Sequence, residues 1–124
     1  MQEVRIQNQS RPLNKPLSAH YCSSFFCRLR GLTFRRSIPN NWGLLLVQKK
    51  ENRSDSAIHM LFVCFDLTIV WIDSNFKVVD KKFAKAWHLL YRPERPAVYV
   101  LELSSKRIND FCIGDQVNFE QYQK

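Results

Sequence analysis

His59-Met60-Leu61-Phe62-Val63-Cys64-Phe65-Asp66-Leu67-Thr68-Ile69-Val70-Trp71-Ile72-Asp73 is almost wholly apolar and rich in β-branched and aromatic residues, with one acid, Asp66, at its centre. A single half-buried strand would alternate apolar with polar residues, but here odd and even positions are both apolar. The run is therefore expected to hold two strands, 58–63 and 67–73, that meet at a bend near Cys64-Phe65 and are buried on two faces or bent by a bulge. A carboxylate taken out of water among Phe, Leu and Val costs several kcal/mol unless hydrogen bonds or a cation replace its hydration. Asp66 thus marks a structural knot or a site. The run is too short, too β-branched and too polar at His59 and Asp66 for a membrane-spanning helix, which needs about 20 apolar residues.

The rest of the chain reads as further short strands. Val4 and Ile6 alternate with polar residues, an extended piece follows near 17–22, and Gly43 introduces the apolar run Leu44-Leu45-Leu46-Val47. Lys49 to Ser56 is polar and reads as a connection. Asp73-Ser74-Asn75 is a hairpin signal with Phe76 to Asp80 as its return strand, Ala97 to Leu103 forms the next strand, and Val117 and Phe119 alternate in the last. Ser23 can cap a short helix carrying Phe25, Phe26, Leu29 and Leu32, with Gly31 placed to end it and Arg28 and Arg30 near its C-terminus. Ser104 or Ser105 can cap a second, running to about Phe111. This inventory predicts a mostly-β single domain over residues 1–124, a jelly-roll-like sandwich or barrel with two short helices.

Charge is uneven. Residues 1–50 hold nine Lys and Arg against the single acid Glu3, whereas residues 51–124 hold ten of each sign, so the whole excess of +8 lies in the first fifty residues. Arg28, Arg30, Arg35 and Arg36 cluster there, with Phe25, Phe26 and Phe34 interleaved. Phosphate contact plus base stacking would use such a patch, although the Phe residues fall at helix-core spacing. The four cysteines, Cys22, Cys27, Cys64 and Cys112, lack metal-ligand spacing and are expected as buried, reduced thiols. With no hydrophobic signal region at Met1 to Arg5, a cytoplasmic location is expected.

In order along the chain, Ala19 and Ser24-Phe25 leading into Arg28-Leu29-Arg30-Gly31-Leu32-Thr33-Phe34-Arg35, then Gly43-Leu44-Leu45, Ile58-His59-Met60 with Phe62, Asp66 through Asp73, and Tyr99-Val100-Leu101-Glu102-Leu103 closing on Gly114-Asp115, resemble the domain of unknown function 192 family. These small proteins are widespread in bacteria and archaea. The resemblance spans about residues 4–119 and takes in all three glycines of the chain; it implies a mostly-β, jelly-roll-like sandwich with short helices and no established activity. Departures from the family pattern are Gln48-Lys49 where Pro-Cys is frequent, Phe65 where Pro is frequent, Ser104-Ser105-Lys106 in place of Pro-Ala-Gly, and a replaced hairpin glycine near Asn75-Phe76. Losing that cysteine removes the most obvious nucleophile or soft metal ligand beside His59.

The candidate polar site is accordingly His59, Asp66 and Arg30, in which an imidazole donating to a carboxylate would fix the histidine tautomer. Its alternative is a knot in which Asp66 accepts backbone N–H groups. An arginine of the Arg-Leu-Arg-Gly segment could also reach Asp66 or Glu102 as an ion pair. Arg28, Arg35 and Arg36 form a candidate basic patch, and Trp87 with His88 a candidate aromatic surface. No Ser-His-Asp elbow, phosphate-cradling glycine loop or paired carboxylates occur, and no metal or cofactor is expected. The function expected is a small non-catalytic binding or accessory module whose partner is a small molecule or a protein. The alternatives are a small hydrolase-like or metal-assisted enzyme centred on His59 and a basic nucleic-acid-associated protein.

Overall fold

The computed structural model describes residues 3–33, 35–52, 57, 58, 60, 62–88 and 90–121; the side chains of Phe25, Phe26, Leu29 and Asn52 are outside that description. Strands β1 (Glu3–Asn8), β2 (Ser18–Cys22), β3 (Trp42–Asn52), β4 (Leu67–Ile72), β5 (Val78–Ala84), β6 (Ala97–Ser104) and β7 (Val117–Gln121) join one sheet in the order β5-β4-β6-β3-β2-β1-β7. All pairs are antiparallel except β2 with β3. The sheet curls until its ends touch: Val78 N–H donates to Asp115 O at 2.9 Å, and Gly114 N–H donates to Val78 O at 2.8 Å. A mostly-β single domain therefore holds, but as one rolled sheet, a half-barrel. Two facing sheets are not formed, because β6 pairs with β4 on one side and β3 on the other and makes the two halves continuous.

Strand β4 shows why the opening run is apolar at both parities. Val70 and Ile72 point into the roll with Val4, Ile6, Leu45, Leu101, Leu103 and Phe111. Leu67, Ile69 and Trp71 point outward beside Leu44, Leu46 and Val100 of the neighbouring strands, and Ile58, Met60 and Val63 pack in the same cluster. Only the second half of the run is a strand. Ile58 makes one isolated bridge to Tyr91; positions 59 and 61 of the expected strand lie outside the described residues, and Met60, Val63 and Phe65 pack on the outer face of the sheet without pairing. Apolar character there reflects burial against β4 and β6, which a covering loop needs as much as a strand does.

Three further expectations change. Strand β3 continues through Lys49 to Asn52, its charged end pairing with β6 beyond a register shift. The return strand of the hairpin runs on to Ala84, and Phe76, standing where a hairpin glycine was missed, takes φ 62° and stacks its ring on Tyr99 at 5.4 Å. Helical structure is reduced to α1 (Phe25–Arg30), capped by Ser24 and not Ser23, and a 3-10 turn at Ser105–Arg107. The segment to Phe111 does not continue as a helix, because Arg107 turns inward to bind carbonyls of distant loops.

Cys22 and Cys27 are not free thiols. They form a disulfide that ties the end of β2 to α1, while Cys64 and Cys112 are free. Spacing concealed it, since only the sharp passage from β2 into α1 brings the two Cα atoms to 5.7 Å. Closing so short a loop contributes about 2 kcal/mol in the chain-entropy account. Replacing both cysteines by serine is expected to lower the unfolding free energy by about that amount, with retained near-ultraviolet circular dichroism, measured by urea denaturation.

Candidate functional site

Cross-strand register aligns one row of side chains on the outer face of the sheet: Lys82 opposite Ile69, Ile69 opposite Glu102, Glu102 opposite Leu44, Leu44 opposite His20 and His20 opposite Glu3. Helix α1 and the turn after it lie over the middle of this row. Glu102 is 4 % exposed, and its Oε1 has no hydrogen-bond partner among the described residues. Removal from water favours the neutral acid and pushes the Glu102 carboxyl up to about 7.

What stands over Glu102 is a glycine. Gly31, at φ 52°, caps the end of α1, and a Cβ there would sit 3.5 Å from Glu102 Oε1. A residue with positive φ is needed to turn the chain off the helix, and its lack of a side chain leaves the carboxylate approachable. A cleft of about 40 Å³ results, lined by Arg28, Arg30, Gly31, Thr33, Leu46 and Glu102 among others. That is room for one small group. Beside it, sharing Arg30, Gly31 and Leu32, opens a groove of about 530 Å³ lined also by Glu3, His20, Arg35 and Trp42. A larger hollow of about 700 Å³ lies under the β1–β2 connection, but Glu102 Oε1 is the one buried, unpartnered side-chain oxygen or nitrogen among the described residues.

The expected site residues separate. His59 and Phe34 lie outside the described residues. Asp66 is exposed and accepts the Ala86 N–H at 2.9 Å, holding the turn that leads to Trp87. No ion pair among the described residues joins Asp66 or Glu102 to an arginine. Arg28 instead donates to Gln48 Oε1 at 2.8 Å and to Ser24 O, Arg35 stacks over the Trp42 ring at 4.8 Å, and Arg30 and Arg36 are exposed. Trp87 is exposed with its ring edge-on to Phe62 at 5.2 Å, and His88 lies against Tyr91. Replacing Asp66 by Ala is expected to cost about 1 kcal/mol and to speed hydrogen exchange at the Ala86 amide while leaving the groove unchanged.

A family model described as Uncharacterized ACR, DUF192, matches residues 5–119. The chain belongs to the DUF192 family. Its UPF0127 relatives include a Thermococcus kodakarensis protein, 39 % identical over 64 % of this chain and 48 % of its own length. A Thermococcus gammatolerans protein is 35 % identical over 82 % of this chain and 65 % of its own length. A Pyrococcus horikoshii protein is 31 % identical over 78 % of this chain and 81 % of its own. The chain thus spans about half to two-thirds of the length of the first two. Among solved structures, a Sinorhizobium meliloti protein provisionally named a transcription regulator superposes with TM-score 0.80 at 20 % identity, covering 95 % of this chain and 92 % of that one. A Novosphingobium aromaticivorans protein of unknown function does so at 0.76 and 16 %, covering 94 % and 83 %. At such identities the likeness shows the DUF192 fold alone. The family is uncharacterised, and no helix among the described residues of this DUF192 chain is long and apolar enough to cross a membrane.

Proposed function

We propose that this chain is a small-ligand-binding module without chemistry of its own, and that its ligand seats in the groove beside α1 with one polar group reaching Glu102. The observation that carries this reading is the unpartnered oxygen of Glu102, buried at the foot of a cleft that opens under a glycine. A buried carboxylate left without a donor is unfavourable by about 1–3 kcal/mol or more, and such a group in a cleft is a candidate functional site, since a ligand there can supply the missing bond. The groove adds what a small-molecule site uses: a concave wall with Trp42 and Leu44, and a few convergent polar groups in His20, Arg30 and Arg35.

Engagement of Arg28 by Gln48 and of Arg35 by Trp42 favours this reading over nucleic-acid binding by one arginine patch. Screening small polar fragments against the nitrogen-15-labelled protein tests the proposal. Saturable amide shifts should gather at Gly31, Leu32, Leu44 and Glu102. Shifts that are absent there, or that gather only around Trp87 and His88, overturn it.

A further inference from the structure

We infer that the groove recognises a small zwitterion, with its ammonium group in the Glu102 cleft and its anionic end against Arg30 and Arg35; this rests on the ligand-binding reading above. Glu102 is acceptor-only when ionised, and Arg28, which lines the cleft, is turned away to Gln48 Oε1 at 2.8 Å and to the Ser24 carbonyl. Arg30, at the exposed end of α1, lines both the cleft and the groove without closing an ion pair on Glu102. Among the described residues no cation closes an ion pair on Glu102, and a ligand's ammonium would supply that charge.

Size agrees with charge: a cleft of about 40 Å³ suits a small polar group such as a primary ammonium or a hydroxyl. A bound divalent cation would call for several hard oxygen ligands, and the described residues gather no set of three His, Cys, Asp or Glu side chains. An ammonium needs only one buried carboxylate and neighbouring acceptors, and Thr33 in the cleft wall supplies a hydroxyl whose proton is already committed to Arg30 O at 2.8 Å. That hydroxyl oxygen is left as an acceptor.

The rim is basic: Arg30 and Arg35 line the groove that shares Arg30, Gly31 and Leu32 with the cleft, and Arg35 is held over Trp42. A planar guanidinium fixed on an aromatic face is suited to a carboxylate or a phosphate. Acid floor and basic rim together select a molecule with the opposite polarity from end to end, such as an amino acid or an aminoalkyl phosphate, and disfavour a plain anion or a plain amine, each of which leaves one end unpaired.

Calorimetric titration with β-alanine, γ-aminobutyrate and phosphoethanolamine tests the inference against three controls: propionate, which lacks the ammonium, phosphocholine, whose ammonium is blocked by methyl groups, and inorganic phosphate. At least one zwitterion should bind saturably, and roughly tenfold or more tightly than its control. Glu102→Gln, whose folding is verified by its melting curve, and Arg30→Ala should each weaken that binding by about tenfold. Equal binding of propionate or phosphate, unaffected by Glu102→Gln, overturns the zwitterion and leaves an anion-binding groove. No saturable binding of any zwitterion overturns the inference too, while the fragment screen decides separately whether the groove binds anything.

Discussion

Replacing Arg107 by methionine is expected to lower the unfolding free energy by about 3 kcal/mol, the largest loss from any single substitution considered for this chain. Arg107 is 5 % exposed and fully engaged: Nε donates to Asn40 O at 2.7 Å, Nη1 to Lys15 O at 3.2 Å and to Asp110 Oδ2 at 2.8 Å, and Nη2 to Pro16 O at 2.8 Å. One guanidinium therefore ties the β1–β2 connection and the turn before β3 to the 3-10 turn after β6. Methionine would fill the space of the stem but leave three carbonyls and a carboxylate without their donor. Asp110 is partly exposed and recovers some water, which keeps the loss near the lower end for broken buried pairs. Lysine should restore only part of it, since one ammonium cannot reproduce the fork. Urea denaturation checks this through a lowered midpoint at unchanged slope.

The second large effect runs with pH. Glu102 is raised from near 4.5 to about 7 in the folded protein by burial, so the folded state holds this proton more tightly than the unfolded state does. Its contribution to stability is complete below about pH 4.5, falls away as pH rises toward 7 and is gone above it, a loss of about 3 kcal/mol. Among the described residues the charged groups at the cleft are Arg28 and Arg30 from α1, with His20 two strands away along the row; β3 and β4 face it with Leu44, Leu46 and Ile69, and Ile58 and Val63 line it too. Glu102→Gln removes the titration while keeping the shape. The variant should match the parent chain near pH 4 and exceed it by about 2–3 kcal/mol at pH 8, the amide still lacking a buried partner. Subtracting the two stability profiles cancels the other carboxylates. A substitution that strengthens the fold while removing ligand binding is the pattern of a residue kept for function.

Much of the sheet was legible because its strands are bounded by turn residues and, in β1 and β7, show alternation. Two-sided burial of β4 was readable too, from an apolar run without a polar face. The site was harder. Asp66 and Glu102 pose the same anomaly, one acid in an apolar stretch, and the sequence does not say which is sealed. Asp66 falls just before β4 and stays at the surface with the Ala86 amide, whereas Glu102 falls mid-strand on the face that α1 covers. Only the placement of the helix over the row distinguishes them. The Arg107 staple was invisible for a related reason, since its acceptors at 15, 16 and 40 lie far away in sequence. Likewise Ile58, Met60 and Val63 read as strand residues because they pack on the sheet without joining it.

Following the side-chain carboxyl carbon of Glu102 by carbon-13 NMR through a pH titration of the ligand-free protein tests the central claim most directly. A midpoint near 7 is predicted for a buried carboxyl whose Oε1 has no partner and which pairs with no cation among the described residues at the foot of the cleft; a midpoint in the ordinary range near 4.5 would show it solvated or paired and would contradict the account.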